Sequence, residues 1–224
     1  RQWSRGLGDV YKRQICDKLN KVVGIKTPMM IASGTIINEN IIVTNRHVVE
    51  DHKQFVIKFN NGEIKKAFPL PHNFPADLAL LSLKKELHKL NELPKSNKIV
   101  GKIRVIAYDQ GRNANRIYNP GKVISFSDFN KYPQARIHTT AKSLPGNSGG
   151  SVVDENGELI GILASGDGNI NEVIPVSLIN KIIQNTNLKH EDEFYKIGKY
   201  IKTCADNLET AINVQKNLDI KLTL

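Results

Sequence analysis

Residues Leu144 to Ile162 read LPGNSGGSVVDENGELIGI, with Ser148 set among three glycines and an apolar run broken by Asn156-Gly157. Glycine weakens regular structure and belongs where backbone takes positive φ or must approach another group closely. Such a loop is either a tight surface turn or a rigid mount for one small hydroxyl, which is what a nucleophile needs. The choice depends on whether a base, and a group to orient that base, stand elsewhere in the chain. The residues after the loop are easier to read. Apolar and polar residues alternate around an Asn-Gly pair, the pattern of two strands joined by a hairpin.

The same pattern extends outward on both sides. Upstream, ASGTIINENIIVTN reads as two strands around Asn38-Glu39-Asn40, FVIKFNNGEIKKAF as a hairpin at Asn61-Gly62, and LALLSL as a short buried strand. A lysine-rich connector, KKELHKLNELPKSNK, separates these from RVIAYDQ, GKVISFSD, ARIHTTA and NEVIPVS. Many short strands with turn residues between them argue for barrels or a sandwich. Two strand-rich halves with a linker near residues 85–102 point to two small barrels side by side. After Pro175 the period changes: SLINKIIQNT is helical, and Phe194, Ile197, Ile201, Cys204, Leu208, Ala211 and Leu218 form one apolar stripe on a helix of roughly 25 residues. The expected divisions are 1–14, 15–102 (first barrel), 103–185 (second barrel) and 186–224 (amphipathic helical tail).

Composition sets the limits. The 224 residues are 40% hydrophobic, enough for a core. No apolar run approaches the roughly 18 to 20 residues that span a bilayer, so no transmembrane segment is expected. The two cysteines, Cys16 and Cys204, form neither a metal-ligand spacing nor a disulfide framework; the fold must stand on packing. The net charge of +10 would suit a nucleic-acid or anionic-membrane partner. The lysines, however, are spread along the chain, aromatics make up only 6% of it, and no RNA- or DNA-binding motif appears. A solvated basic surface accounts for the charge, and no specific nucleic-acid partner is expected. The first fourteen residues, RQWSRGLGDVYKRQ, look like translated adapter or linker sequence and are set aside from fold reasoning. With the natural N-terminus then missing, the lack of an export signal says nothing about compartment.

A serine hydroxyl is a poor nucleophile until a neighbouring base takes its proton. Histidine suits that role near neutral pH, with a carboxylate behind it to fix the tautomer. Of six histidines, His47 in IIVTNRHVVED stands directly after an apolar strand, a rigid place from which to face a cleft. Asp77 in PADLALLSL stands at the mouth of another; it is either the orienter or a solvated strand start.

The segments TNRHVV, DLALL and GNSGG together resemble the trypsin-like (chymotrypsin-fold) serine proteases, being most similar to the compact bacterial trypsin-like and HtrA/Deg peptidases that lack a PDZ domain. SGTIIN, GKVIS and NGELIGI support the resemblance, which covers roughly residues 20–185. It implies a mainly β fold: two packed antiparallel six-stranded β-barrels, here with a C-terminal helical extension. It implies a serine endopeptidase acting on polypeptide through an acyl-enzyme, with Ser148 as nucleophile, His47 as general base and Asp77 as orienter. The backbone N–H groups of Gly146 and Ser148 would form the oxyanion hole. No metal or organic cofactor is implied. Lys142 would lie near the base of the primary specificity pocket, favouring an acidic side chain, or turn to solvent. His138 would reach the same pocket or pack on its strand. Ala164, Ser165 and Gly166 would form the edge that pairs with substrate. An extracytoplasmic site follows from resemblance alone.

Two departures qualify this. Asn147 occupies the place where trypsin-like zymogens carry an aspartate that pairs with a newly cut N-terminus, so activation by such cleavage is not expected. About 38 residues follow the protease-like part, too few for a PDZ domain. The helical stripe must bury against the barrels, a second copy of itself, or another protein. A catalytically inert homologue that keeps peptide binding is the alternative function.

Overall fold

The computed structural model describes residues 14–84, 90–94, 101–126, 136–167 and 169–222. Most of the segment set aside at the start, and most of the lysine-rich connector, lie outside the described residues.

The first barrel is a closed antiparallel ring. Its strands are β1 (Val22–Lys26), β2 (Ile31–Asn38), β3 (Ile41–Thr44), β4 (Phe55–Lys58), β5 (Ile64–Leu70) and β6 (Ala79–Ser82), with a one-turn helix α1 (Arg46–Val49) between β3 and β4. Local chemistry makes the turns. The Asn38 carboxamide oxygen accepts from the amides of Asn40 and Ile41, which turns β2 into β3. Gly62 takes φ +86 and its N–H reaches Phe59 O, so the Asn61-Gly62 signal yields a hairpin with a longer loop than the two-residue kind.

The ring closes where β1 meets β4, with Ile25 opposite Ile57. Inside it lie Val23, Ile25, Ile42, Phe55, Ile57, Ala79 and Leu81. Ile41 and Val43 of β3, Leu80 of β6 and Leu78 just before it pack outward against the second half and a helix. That explains why LALLSL shows no alternation: both of its faces are covered.

The second barrel contains β7 (Lys102–Asp109), β8 (Ala114–Ile117), β9 (Gly121–Ser125), β10 (Ile137–Thr139), β11 (Ser151–Val153), β12 (Leu159–Gly166) and β13 (Asn171–Pro175). Six of them close in the order β7-β11-β12-β13-β10-β9, and β8 hangs from β7 as an extra edge. Its interior includes Ile103, Val105, Ile137, Val152, Ile160 and Val173.

The helices follow. In α2 (Val176–Asn185), Leu178, Ile179, Ile182 and Ile183 are buried against the outer faces of β3 and β6. In α3 (Glu191–Leu222), the first turn carries Glu191, Asp192 and Glu193, negative charge that suits the positive end of a helix. This helix is longer than its apolar stripe predicts. Phe194 is buried in the first barrel's cluster, while Cys204 is exposed; the side chains of Leu208, Ala211 and Leu218 lie outside the described residues. Cys16 is also free and exposed. No helix among the described residues is long and apolar enough to cross a membrane.

Hydroxyl groups join the two barrels. The Tyr108 amide donates to Ser33 Oγ at 2.9 Å, and Thr35 Oγ1 donates to Gly149 O at 3.0 Å and contacts Ser151 Oγ at 2.9 Å; within the first barrel, Thr44 Oγ1 donates to Ser33 O at 2.8 Å. These groups are buried or nearly so, and each is paired, as a buried polar group must be.

Candidate active site

His47 owes its position to its neighbours. In the turn Arg46–Val49, the side chains of Arg46, Val48 and Val49 are buried, which leaves His47 as the one facing out. Its Nδ1 lies 2.9 Å from Asp77 Oδ2, and its backbone N–H donates to Asp77 Oδ1 at 3.0 Å. Asp77 is held in turn by Asn45, whose side-chain amide donates to the Asp77 carbonyl at 3.1 Å. A carboxylate can only accept, so Nδ1 carries the proton and Nε2 is left with a lone pair.

Arg46 is a further part of this turn, unmarked in the sequence. It is 4% exposed and has backbone carbonyls for partners: Nη1 donates to Glu50 O at 2.5 Å and Nη2 to Phe194 O at 2.6 Å, with the guanidinium 3.8 Å from the Phe194 ring centre. Burial brings its pKa down to about 10, against the pull of Asp77, so the group stays charged near neutral pH. Helix α3 therefore grips both ends of the turn that carries His47. Gly198 makes the close fit possible, since a Cβ there would sit 2.0 Å from the Glu50 carbonyl oxygen. Glu50 itself has φ +46, an unfavourable region for a residue with a side chain, held by these contacts.

The Ser148 loop is fixed as firmly. Gly149 takes φ +87, and a Cβ on it would lie 2.0 Å from Ser33 O; the Ser33 amide donates to Ser148 O at 2.8 Å. Asn147 is 1% exposed. Its side-chain amide donates to Tyr108 O at 3.0 Å, and its side-chain oxygen accepts from the Leu144 amide at 2.7 Å. Both ends of the neutral side chain are therefore used inside the protein. Gly146 has φ +88. Among the described residues, the N–H groups of Gly146 and Ser148 donate to no acceptor.

His47 and Ser148 line one cavity of about 500 Å³, together with Gly146, Ala164, Ser165 and Gly166. Ser148 Oγ, however, donates to Ala164 O at 2.9 Å and makes no hydrogen bond to His47. Rotation about one side-chain bond would release it.

The pocket predictions fare unevenly. Lys142 is exposed and absent from the cavity wall, next to the buried Ala141 in the segment after β10. His138 is also outside: its ring meets Ser125 Oγ at 3.0 Å and lies 3.7 Å from Glu172. Glu172 in turn accepts from Ser165 Oγ at 2.7 Å. The sequence reading missed Ser143, which lines the cavity and donates to the wholly buried Asn171 at 2.7 Å. That pair leaves the cavity wall beside Ser143 polar but uncharged. Also missed were Ser33, Thr35 and Thr44, single hydroxyl residues scattered through apolar strands.

Known proteins fit this arrangement. A serine protease HtrA-like protein of Staphylococcus aureus is 27% identical over 198 residues, covering 78% of this chain and 26% of that protein. The serine endoprotease DegS of Salmonella typhimurium is 28% identical over 190 residues, covering 78% of this chain and 52% of its own length. The chain thus spans between a quarter and a half of these curated relatives. Among solved structures, the HtrA-type protease AlgW with a tripeptide superposes with TM-score 0.64 and 25% identity, over 78% of this chain and 62% of that one. A family profile described as a trypsin-like peptidase domain matches residues 32–162, from β2 through most of β12, and on that match this chain belongs to the trypsin-like peptidase family.

Proposed function

We propose that the chain is a serine endopeptidase that cleaves polypeptide through an acyl-enzyme. The observation that carries this is the 2.9 Å contact of His47 Nδ1 with Asp77, which leaves Nε2 unprotonated on a ring lining the same cavity as Ser148. In the first step Ser148 Oγ leaves Ala164 O, gives its proton to His47 Nε2 and attacks the scissile carbonyl. Asp77 stabilises the imidazolium that results. The developing oxyanion takes the two unused N–H groups of Gly146 and Ser148; one such donor is worth about 10²–10³ in rate. His47 then returns the proton to the leaving amine, and water releases the acyl group by the same steps. The edge at Ala164–Gly166 offers backbone groups to an extended substrate.

Labelling with a fluorophosphonate probe and hydrolysis of a fluorogenic casein test this. Wild type should react, and Ser148→Ala and His47→Ala should each lose about 10⁴-fold or more in hydrolysis while melting as the wild type does. One observation favours a second function, that of an inert peptide-binding module: the Ser148 hydroxyl is already engaged by Ala164 O. A folded wild-type protein that the probe leaves unlabelled would decide for the binding module.

A further inference from the structure

A row of side chains leads away from the Ser148 loop across the outside of the first barrel. Lys26 of β1 stands opposite Ile31 of β2 on one side and Val56 of β4 on the other, and Val56 stands opposite Lys66 of β5. Residues directly opposite one another in a sheet share a face. Ile25 and Ile57, one step along their strands, fill the barrel, so Lys26, Val56 and Lys66 face outward. The row begins beside the active site, since a Cβ on Gly146 would lie 3.1 Å from Ile31 O.

The face is positive and uncovered. Lys26 and Lys66 are exposed, and neither pairs with a carboxylate among the described residues. In β1, β4, β5 and the turns 27–30 and 59–63, Glu63 is the single acidic residue, and Lys65 already holds it at 3.0 Å. Lys58 shares the outer face, its Nζ donating to Asn113 Oδ1 at 2.8 Å. Val56 is 39% exposed between the two unpaired lysines, and Met29 is 74% exposed where the row begins. Two like charges thus flank one aliphatic side chain, and the barrel's own packing uses neither.

The position of the row identifies its occupant. The Ser148 loop is held between two strands: the Gly149 amide donates to Leu163 O of β12, and the Ser33 amide of β2 donates to Ser148 O. Substrate paired with the edge Ala164–Gly166 lies on the β12 side, so the chain beyond the attacked carbonyl leaves over β2, toward Lys26. Strands lie about 4.8 Å apart and an extended chain advances about 3.3 Å per residue, which brings Lys26 within reach about three residues after the cut and Lys66 about six.

We propose that the outer face of β1, β4 and β5 is an exosite for an acidic segment of the substrate, lying about three to six residues C-terminal to the bond that is cut, with Lys26 and Lys66 as the residues that hold it. The proposal rests on the peptidase function above and concerns a surface outside the catalytic cavity.

The test uses two peptides that share one cleavage site and differ only at the third to sixth residues after it, all Glu in one and all Gln in the other. They are hydrolysed by the wild type, Lys26→Gln, Lys66→Gln, the double variant and Lys199→Gln, an exposed lysine of α3 outside the row. Wild type at low salt should favour the Glu peptide by about fivefold in kcat/KM, the scale of two exposed ion pairs, mostly through KM. The ratio should fall to about one in the double variant and in 0.5 M NaCl, where screening acts within about 4 Å, while Lys199→Gln should keep it. A wild type indifferent to the four residues, a preference that survives in the double variant, or equal losses for both peptides overturns the exosite. So does wild type that cleaves both peptides alike yet co-sediments with phosphatidylglycerol vesicles in a Lys26- and Lys66-dependent way, which would make the face a membrane contact. Binding of the two fluorescein-labelled peptides to Ser148→Ala, with and without the lysine substitutions, separates this from the peptidase function. An inactive wild type whose Ser148→Ala form still binds the Glu peptide about fivefold tighter, in a Lys26- and Lys66-dependent way, defeats the hydrolysis and keeps the acidic-peptide site.

Discussion

Asn147 shows how a single neutral side chain can set the state of a loop. Its amide donates to Tyr108 O and its oxygen accepts from the Leu144 amide, so the segment before Ser148 is held without any charge partner. A carboxylate in its place would be buried, facing a carbonyl where a donor had been. Asn147→Asp should therefore cost about 2–4 kcal/mol and slow fluorophosphonate labelling, as read by urea midpoint and labelling rate; an unchanged midpoint would refute this account. Gly149 is constrained differently, by its φ of +87 and by Ser33 O at 2.0 Å from any Cβ. Much at this scale was legible in the sequence. GNSGG, the histidine after an apolar strand and the aspartate before another were all visible as residue types in plausible places; the structure sets the serine and the histidine on one cavity, with the aspartate 2.9 Å from the histidine ring. The direction of the Ser148 hydroxyl was not, because a rotamer is chosen by neighbours such as Ala164 that lie close only after folding. Lys142 was left between the pocket and solvent for a similar reason: its position on the chain was known, but the face it takes depends on which neighbour the barrel buries.

At the scale of elements, α3 is the part that a family-level reading describes least. Its apolar stripe was apparent from spacing, but its site of attachment was not. That attachment needs a glycine at 198, a buried arginine at 46 and a carbonyl at 50, and these meet only in three dimensions. Gly198→Ala puts a methyl carbon where 2.0 Å separates it from Glu50 O, so the helix must move off the His47 turn. We expect a loss of about 2 kcal/mol or more, within the range for overpacking, and a kcat that falls further than KM rises. Denaturant unfolding and steady-state kinetics on one peptide would check both, and a variant of wild-type stability would count against this docking. The strands tell the reverse story. Turns such as Asn38–Asn40 and Asn156-Gly157 are local chemistry, and they fell where the sequence put them. The strand β8, ANRI, has no apolar alternation and hangs outside its barrel, so it left no pattern to read.

For the molecule as a whole, the two-barrel plan was legible because strand runs and turn residues are local signals that repeat. The coupling between the barrels rests on scattered serines and threonines, and it was not. Stability should carry a pH signature from His72, which is 3% exposed beside Phe194. Burial lowers its pKa from 6.5 to about 4, against the opposing effect of the Leu78 carbonyl. The unfolded chain thus takes up the proton first. The stabilisation is fully present above pH 6.5 and is lost as pH falls through about 4. Between pH 7 and pH 5 the contribution is about 2 kcal/mol. Urea unfolding at both pH values should show a drop larger by about that amount in wild type than in His72→Gln, and parallel drops would exclude His72 as the source. The grip of α3 on Arg46 has one more consequence, in the order of synthesis. Domains fold from the N-terminus as they leave the ribosome, yet the anchor for the base arrives only with Phe194 and Gly198, after both barrels have been made. A nascent chain thus has its candidate nucleophile before its candidate base is secured, so the proposed cutting would wait until the first turns of α3 have been made. A chain stopped after His190 should label with fluorophosphonate far more slowly than the chain that carries all of α3, and equal labelling would show that no such delay exists.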